Sequence, residues 1–147
     1  RKDFVLDPVQ IVEARAWGAD AVLLLAAALD DDALRRCADE ARRWDLAVLA
    51  EAHDDDELDR LLALDLPIVG VNARDLRTFE VDLGRALERC ARVPNDRIVV
   101  AESGVRTVED ATRVREAAVD AALCGEGLMR PGSPHQRFAE LFGENLS

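Results

Sequence analysis

The sequence predicts an α/β fold built on a parallel sheet. Three observations carry this. Short apolar runs recur along the chain at the spacing of strand–helix units. The stretches between them open with helix N-cap signals, and charged and glycine residues gather where the runs end.

The runs are 21–25, 46–50, 67–71, 97–101 and 121–124, recurring at roughly twenty to thirty residues, the length of a βα unit. Their unbroken hydrophobicity, without in–out alternation, suits parallel strands covered on both faces. The opening Arg1-Lys2-Asp3-Phe4 reads as the remnant of one more strand. Six strands are therefore expected, each followed by a helix. Asp7 before Pro8 places an N-cap ahead of an N1 proline, and Ser133-Pro134 repeats it. Asp30, Asp54 and Asp82 stand at the next helix openings, where a carboxylate satisfies free amides and suits the helix dipole. Thr107 to Asp110 resembles a capping box with aspartate in place of glutamate, and Gly18 is placed to close the first helix. Leu58, Leu61, Leu62 and Leu64 supply helical periodicity in the third unit. No Pro/Gly/Ser-rich linker interrupts the chain, so residues 1–147 are expected to form a single domain.

Composition narrows the function classes. Thirty acidic residues against nineteen basic ones leave a net charge of −11, which repels nucleic acid and anionic membrane surfaces. An anionic metabolite can bind only where local cations and backbone amides outweigh that field. Cys37, Cys90 and Cys124 are odd in number and lack CxxC spacing, which fits small apolar fillers in a reducing cytoplasm. Two histidines without a histidine–cysteine cluster argue against a zinc site. The longest apolar run, 21–29, is too short to span a bilayer.

In parallel α/β barrels the active site lies at the C-terminal ends of the strands. Reading off those ends gives Lys2, then Glu51 and His53, then Asn72 and Arg74, then Glu102, Ser103 and Gly104, and last Gly125, Glu126 and Gly127. Such a ring of cations, carboxylates, amide and hydroxyl exceeds what packing needs and suits acid–base work on a charged substrate. Glycines in two consecutive units, each expected just before a helix, point to close backbone approach to an anion.

Here a family resemblance becomes specific. Arg1 to Phe4 followed by D-P-x-Q-I-x-E-A-R-x-x-G-A-D-A-V-L-L (residues 7–24) resembles the third strand and following unit of indole-3-glycerol phosphate synthase. L-A-E-A-H-D (49–54), G-V-N-A-R-D-L-x-T-F-E-V-D-L (70–83), A-E-S-G-V (101–105) and L-C-G-E-G-L-M (123–129) resemble its later signatures in order and spacing. The resemblance implies a partial TIM (β/α)8 barrel, strands three to eight with their helices, lacking the first two strands. A whole barrel needs ~250 residues.

It also implies a carboxy-lyase of tryptophan biosynthesis. The substrate, 1-(2-carboxyphenylamino)-1-deoxyribulose 5-phosphate, condenses, loses carbon dioxide and then water, and yields indole-3-glycerol phosphate, with no metal or organic cofactor. Lys2 matches the family's general acid, its pKa expected to be lowered by neighbouring charges. Glu51 matches the general base of the dehydration half. Asn72 and Arg74 match groups orienting the substrate and its carboxylate, and Glu102 and Ser103 the site-lining pair. Gly104, Gly125 and Gly127 belong with the phosphate cradle. Phe4 packs against the substrate ring or into the core; His53 is read as structural, and Glu126 as supporting or helix-starting. Ala73 and Gly127 depart from the family pattern, where a polar residue and a serine are common. Without two strands the sheet is expected to expose two edges, leaving the chain weakly active or inactive until the N-terminal barrel segment or a second copy closes it. Two alternatives stay open: another phosphate-binding barrel, such as phosphoribosylanthranilate isomerase or a ribulose-phosphate epimerase, or a non-catalytic remnant that binds a phosphorylated ligand.

Overall fold

The computed structural model describes residues 1–129 and 132–143. Five strands, β1 (Ala21–Leu25), β2 (Ala47–Ala52), β3 (Ile68–Asn72), β4 (Ile98–Glu102) and β5 (Ala121–Leu123), form one parallel sheet in sequential order. Six helices alternate with them: α1 (Val9–Ala16), α2 (Asp31–Arg43), α3 (Asp55–Leu62), α4 (Leu83–Cys90), α5 (Val108–Glu116) and α6 (Pro134–Phe142). Parallel strands in sequential order, alternating with helices that pack on the sheet, are the arrangement of a partial (β/α)8 barrel.

The expected sixth strand is not formed. Arg1 lies beside β1, its carbonyl accepting from Leu23 N–H (3.1 Å) and its terminal amine donating to Ala21 O (2.5 Å). The backbone bends at Asp3, whose carboxylate takes the Phe4 N–H, so no ladder develops.

The strand register separates two faces. Val22, Leu24, Val48, Ala50, Val69, Val71, Val99 and Ala101 are all buried and join helix residues such as Leu34, Leu58, Leu61 and Ala111 in the core, where Cys37 and Cys90 also pack. The opposite face carries Leu23, Leu25, Leu49, Glu51, Gly70, Asn72, Val100 and Glu102. Its C-terminal half is buried, but at its N-terminal end Ala21 and Ala47 are exposed and Ile98 is 48% exposed. The expectation of strands covered on both faces therefore holds for the helix side only.

The helix-start signals act as the chemistry of their side chains predicts. Asp30, Asp54 and Asp82 accept from Ala33, Glu57 and Arg85 N–H, and Thr107 with Asp110 closes a reciprocal capping box. Asp7 takes the Val9 N–H at 2.9 Å, while Pro8 already has helical dihedrals. Gly18, at φ +84°, ends α1: its N–H reaches Arg15 O and the Ala19 N–H reaches Ala14 O. Pro134 opens α6 as expected, but Ser133 makes no side-chain cap.

Candidate active site

β2, β3 and β4 run one or two residues further than the apolar runs suggest, because the ladder continues through the polar residues that end them. Glu51 pairs in register with Leu25 and Gly70, and Asn72 with Glu102. Glu51, Asn72 and Glu102 are thus strand residues on the face away from the helices, held by sheet hydrogen bonds rather than by loops.

They converge with Lys2. The Lys2 amine lies 3.2 Å from Glu51 Oε2 and 3.3 Å from Glu102 Oε2. Both carboxylates are buried, whereas the lysine is half exposed, so the amine faces the open side of the cluster. Asn72 Nδ2 donates to Glu51 Oε1 (2.9 Å), and Asn72 Oδ1 accepts the Arg74 N–H (3.0 Å). Glu102 Oε1 is buried with no hydrogen-bond partner among the described residues. It fills the space above Gly70, where a Cβ would lie 2.1 Å from it.

Electrostatics sort the three groups. Burial would lower the Lys2 pKa, but the two carboxylates outweigh it and raise it. The expected lowering is thus corrected: the neighbours are anions. Burial would likewise raise Glu51, yet the close His53 ring, the Asn72 hydrogen bond and the charge of Lys2 hold it low. Glu102 is raised, first by burial and then by the Glu51 charge. Two adjacent carboxyl groups pushed in opposite directions give one base and one group that keeps its proton to higher pH.

Next to this cluster lies a cavity of about 160 Å³ lined by Lys2, Arg74, Ser103, Gly104, Arg106 and the turn 125–127. Arg74 and Arg106 both pair with the Glu126 carboxylate, Arg106 at 3.4 Å. Ser103 (φ +65°) and Gly104 (φ +85°) have left-handed backbone, turning the chain sharply out of β4. On this loop the helix N-terminus expected to supply an anion site is not wholly free. Of the amides at the start of α5, that of Asp110 is taken by Thr107, and those of Arg106 and Thr107 just before it by Asp110. Nor does Gly127 stand just before a helix; residues 125–129 form a single turn, in which Leu128 and Met129 N–H reach Gly125 O. A Cβ on Gly127 would lie 2.3 Å from Val105 O, so the two loops sit closer than a serine there would allow. Gly125 has nothing within 4 Å of its missing Cβ and faces open space.

The structure thus brings Lys2, Glu51, Asn72 and Glu102 into one cluster, with Arg74, Ser103, Gly104, Gly125 and Gly127 beside it. Phe4 is 58% exposed, which rules out core packing. Four participants escaped sequence reasoning. Gly70 gives Glu102 its space, and Arg106 adds a cation to the cavity. Arg137 donates to both Gly127 O (3.3 Å) and Arg106 O (3.0 Å), tying the two loops together. Glu57 contacts His53 through both its backbone and its ring. Only Arg106, adjoining the A-E-S-G-V signature, and Glu57, four residues after His53, had a positional signal.

The family model for indole-3-glycerol phosphate synthase matches residues 1–141. The chain belongs to the indole-3-glycerol phosphate synthase family. It is 52% identical over 143 residues to the indole-3-glycerol phosphate synthase of Koribacter versatilis, covering 97% of this chain and 55% of that protein. It is 48% identical over 144 residues to that of Polaromonas naphthalenivorans, covering 98% and 55%. The chain thus spans about half the length of the curated relatives it matches. Among solved structures, 3-hexulose-6-phosphate synthase from Salmonella typhimurium aligns with a TM-score of 0.77 at 14% identity, over 93% of this chain and 67% of that one. A mutant tryptophan synthase alpha-subunit from Pyrococcus furiosus aligns at 0.71 and 19% identity, over 92% and 60%. These two likenesses concern the fold.

Proposed function

We propose that this chain carries the acid–base half of an indole-3-glycerol phosphate synthase site, acting on 1-(2-carboxyphenylamino)-1-deoxyribulose 5-phosphate. The observation that carries the reading is the Lys2 amine held between Glu51 and Glu102 beside a cavity lined by arginine and glycine. A carbon–carbon bond forms between the ring carbon bearing the carboxylate and the substrate's carbonyl carbon, and the carbonyl oxygen takes a proton from the Lys2 ammonium. Breaking the bond to the carboxylate returns its electron pair to the ring as carbon dioxide leaves. In the dehydration half the hydroxyl takes a proton from the Lys2 ammonium, recharged from solvent on its exposed side, and leaves as water, while Glu51, kept ionised by His53 and Asn72, accepts the proton lost from the neighbouring carbon.

Arg74 suits the substrate carboxylate, with Asn72 fixing its backbone. The phosphate belongs at the cavity between Gly104 and the 125–127 turn, where Ser103 and Arg106 are at hand. Glu126 holds Arg74 and Arg106 through an exposed pair, which a substrate anion can displace at little cost. No metal or organic cofactor enters these steps.

The exposed N-terminal end of the inner face and the exposed edge residues Ala121 and Ala122 support a further reading. The chain alone is weakly active or inactive, and an N-terminal barrel segment, or a second copy, covers those surfaces. The proposed reaction also implies a cytoplasmic protein. No helix among the described residues is long and apolar enough to cross a membrane.

Calorimetry with indole-3-glycerol phosphate tests the site, using this chain mixed with the N-terminal half of a relative. Saturable heat that disappears in Arg106→Ala is expected. Association of the two halves without any ligand heat would contradict the proposal.

A further inference from the structure

His53 lies outside the residues whose roles the family resemblance supplies, yet its surroundings are not those of a packing residue. Its side chain is only 7% exposed. Nε2 lies 2.9 Å from Glu51 Oε1, and Nδ1 lies 3.1 Å from Glu57 Oε2. The His53 backbone N–H also donates to Glu57 Oε2 at 2.8 Å, so the same oxygen grips ring and backbone together. The Nε2 contact is a close charge pair rather than an aligned hydrogen bond, and the ring is held mainly from the Glu57 side.

A neutral imidazole has one N–H and one lone pair. Carboxylates only accept. With a carboxylate oxygen about 3 Å from each nitrogen, the neutral ring would press a lone pair against an anion, whereas the imidazolium satisfies both sides. Burial alone would lower the His53 pKa, but Glu51 and Glu57 raise it to about 9. Other charges that share a cavity with the ring include Asp54 at the start of α3 and Asp75 and Arg77 from the loop after β3, and a wider cavity it also lines holds Glu80, Asp82, Arg85 and Arg89. Through Glu51, the Lys2 amine and Glu102 complete the set.

The two oxygens of Glu51 are unequal. Oε1 is engaged by His53 and Asn72, both at 2.9 Å, while Oε2 faces the Lys2 amine. We infer that His53, anchored by Glu57 on the first turn of α3, is a positioning residue that fixes the Glu51 carboxylate through Oε1 and leaves Oε2 as the oxygen presented to substrate. This rests on the reading of Glu51 as the base. It deepens that reading by assigning which oxygen reacts and by making the start of α3 part of the catalytic framework.

The test uses the chain itself, labelled with ¹⁵N in its imidazoles; the two histidines, His53 and His135, are told apart with His53→Gln. His53 is expected to titrate near pH 9. In Glu57→Gln, a mild change at a half-buried site, its midpoint falls by at least one pH unit. In His53→Gln the ¹³C-labelled Glu51 carboxyl titrates at higher pH than in the parent chain. With the N-terminal half of a relative added, His53→Gln lowers kcat with little change in KM and moves the acid limb of the pH profile upward. A His53 midpoint at or below its ordinary 6.5, or one unmoved by Glu57→Gln, would overturn the proposal even if turnover is normal. The reverse result, the expected titrations without any turnover, would instead sink the enzymatic reading of the site.

Discussion

Removing the Lys2 amine would leave Glu51 and Glu102 side by side with no cation between them, and only the His53 ring on the far side of Glu51. Losing one partner of a buried charge pair is destabilising because the other charge stays desolvated. Lys2 is half exposed, so water offsets part of that loss, and Lys2→Met is expected to destabilise the chain by roughly 1–2 kcal/mol at neutral pH. Without the lysine, Glu102 should hold its proton to still higher pH, so adding Glu102→Gln should recover stability mainly above neutral pH, where that carboxyl would otherwise ionise. Urea midpoints of the two variants check this. Gly70→Ala places a methyl where Glu102 Oε1 now lies, and that carboxylate ends a flexible side chain that can move. A cost of about 1–2 kcal/mol is expected, with the Glu102 titration displaced by NMR.

The His53 linkage has a definite sign. Its folded pKa, about 9, exceeds its ordinary 6.5, so between these values the folded chain holds a proton that the unfolded chain releases. The stability it contributes is complete below about pH 6.5 and is lost as pH rises through about 9. The amount is up to roughly 3 kcal/mol, and denaturant midpoints from pH 6 to 10 should fall in the parent chain but less in His53→Gln. At this scale the sequence revealed residue identities well and their partners poorly. Lys2, Glu51 and Glu102 were readable because charge at a strand end is unusual. The direction of the Lys2 shift was not, since it depends on which neighbours fold in from forty-nine and one hundred residues away.

Among the elements, helix starts were the most legible, because a cap is a local bond between a side chain and an amide two or three residues on. Asp30, Asp54, Asp82 and Thr107 all cap as their positions suggest. The box at α5 also takes up the Thr107 and Asp110 amides, a consequence visible only once both reciprocal bonds form. Thr107→Ala is expected to cost about 1 kcal/mol, read as a lower thermal midpoint. Strand ends were less legible: hydrophobicity stops at Ala50, Val71 and Ala101, while the hydrogen-bond ladder continues to Ala52, Asn72 and Glu102. The ends of β2, β3 and β4 carry Glu51, Asn72 and Glu102, which meet Lys2 or one another. Cross-element ties such as Arg60 to Ala26 O and Leu29 O, or Arg97 to Leu61 O and Leu62 O, left no sequence signal. A long arginine can reach almost any nearby carbonyl.

For the molecule as a whole, repeat length and strand composition were enough to give a parallel α/β sheet, and the family resemblance gave the barrel and with it the sequential strand order. The curvature that brings Lys2 against Glu102, one hundred residues away in sequence, is a property of the whole sheet. So is the unequal burial of its inner face, which the continuous apolar runs concealed. The central claim is that this inner face carries a working acid–base pair. The most direct measurement is formation of indole-3-glycerol phosphate by the chain joined with the N-terminal half of a relative, compared with Lys2→Met and Glu51→Gln in the same mixture. The account predicts turnover in the parent and losses on the order of 10²-fold or more in each variant. Equal turnover in parent and variants would contradict it.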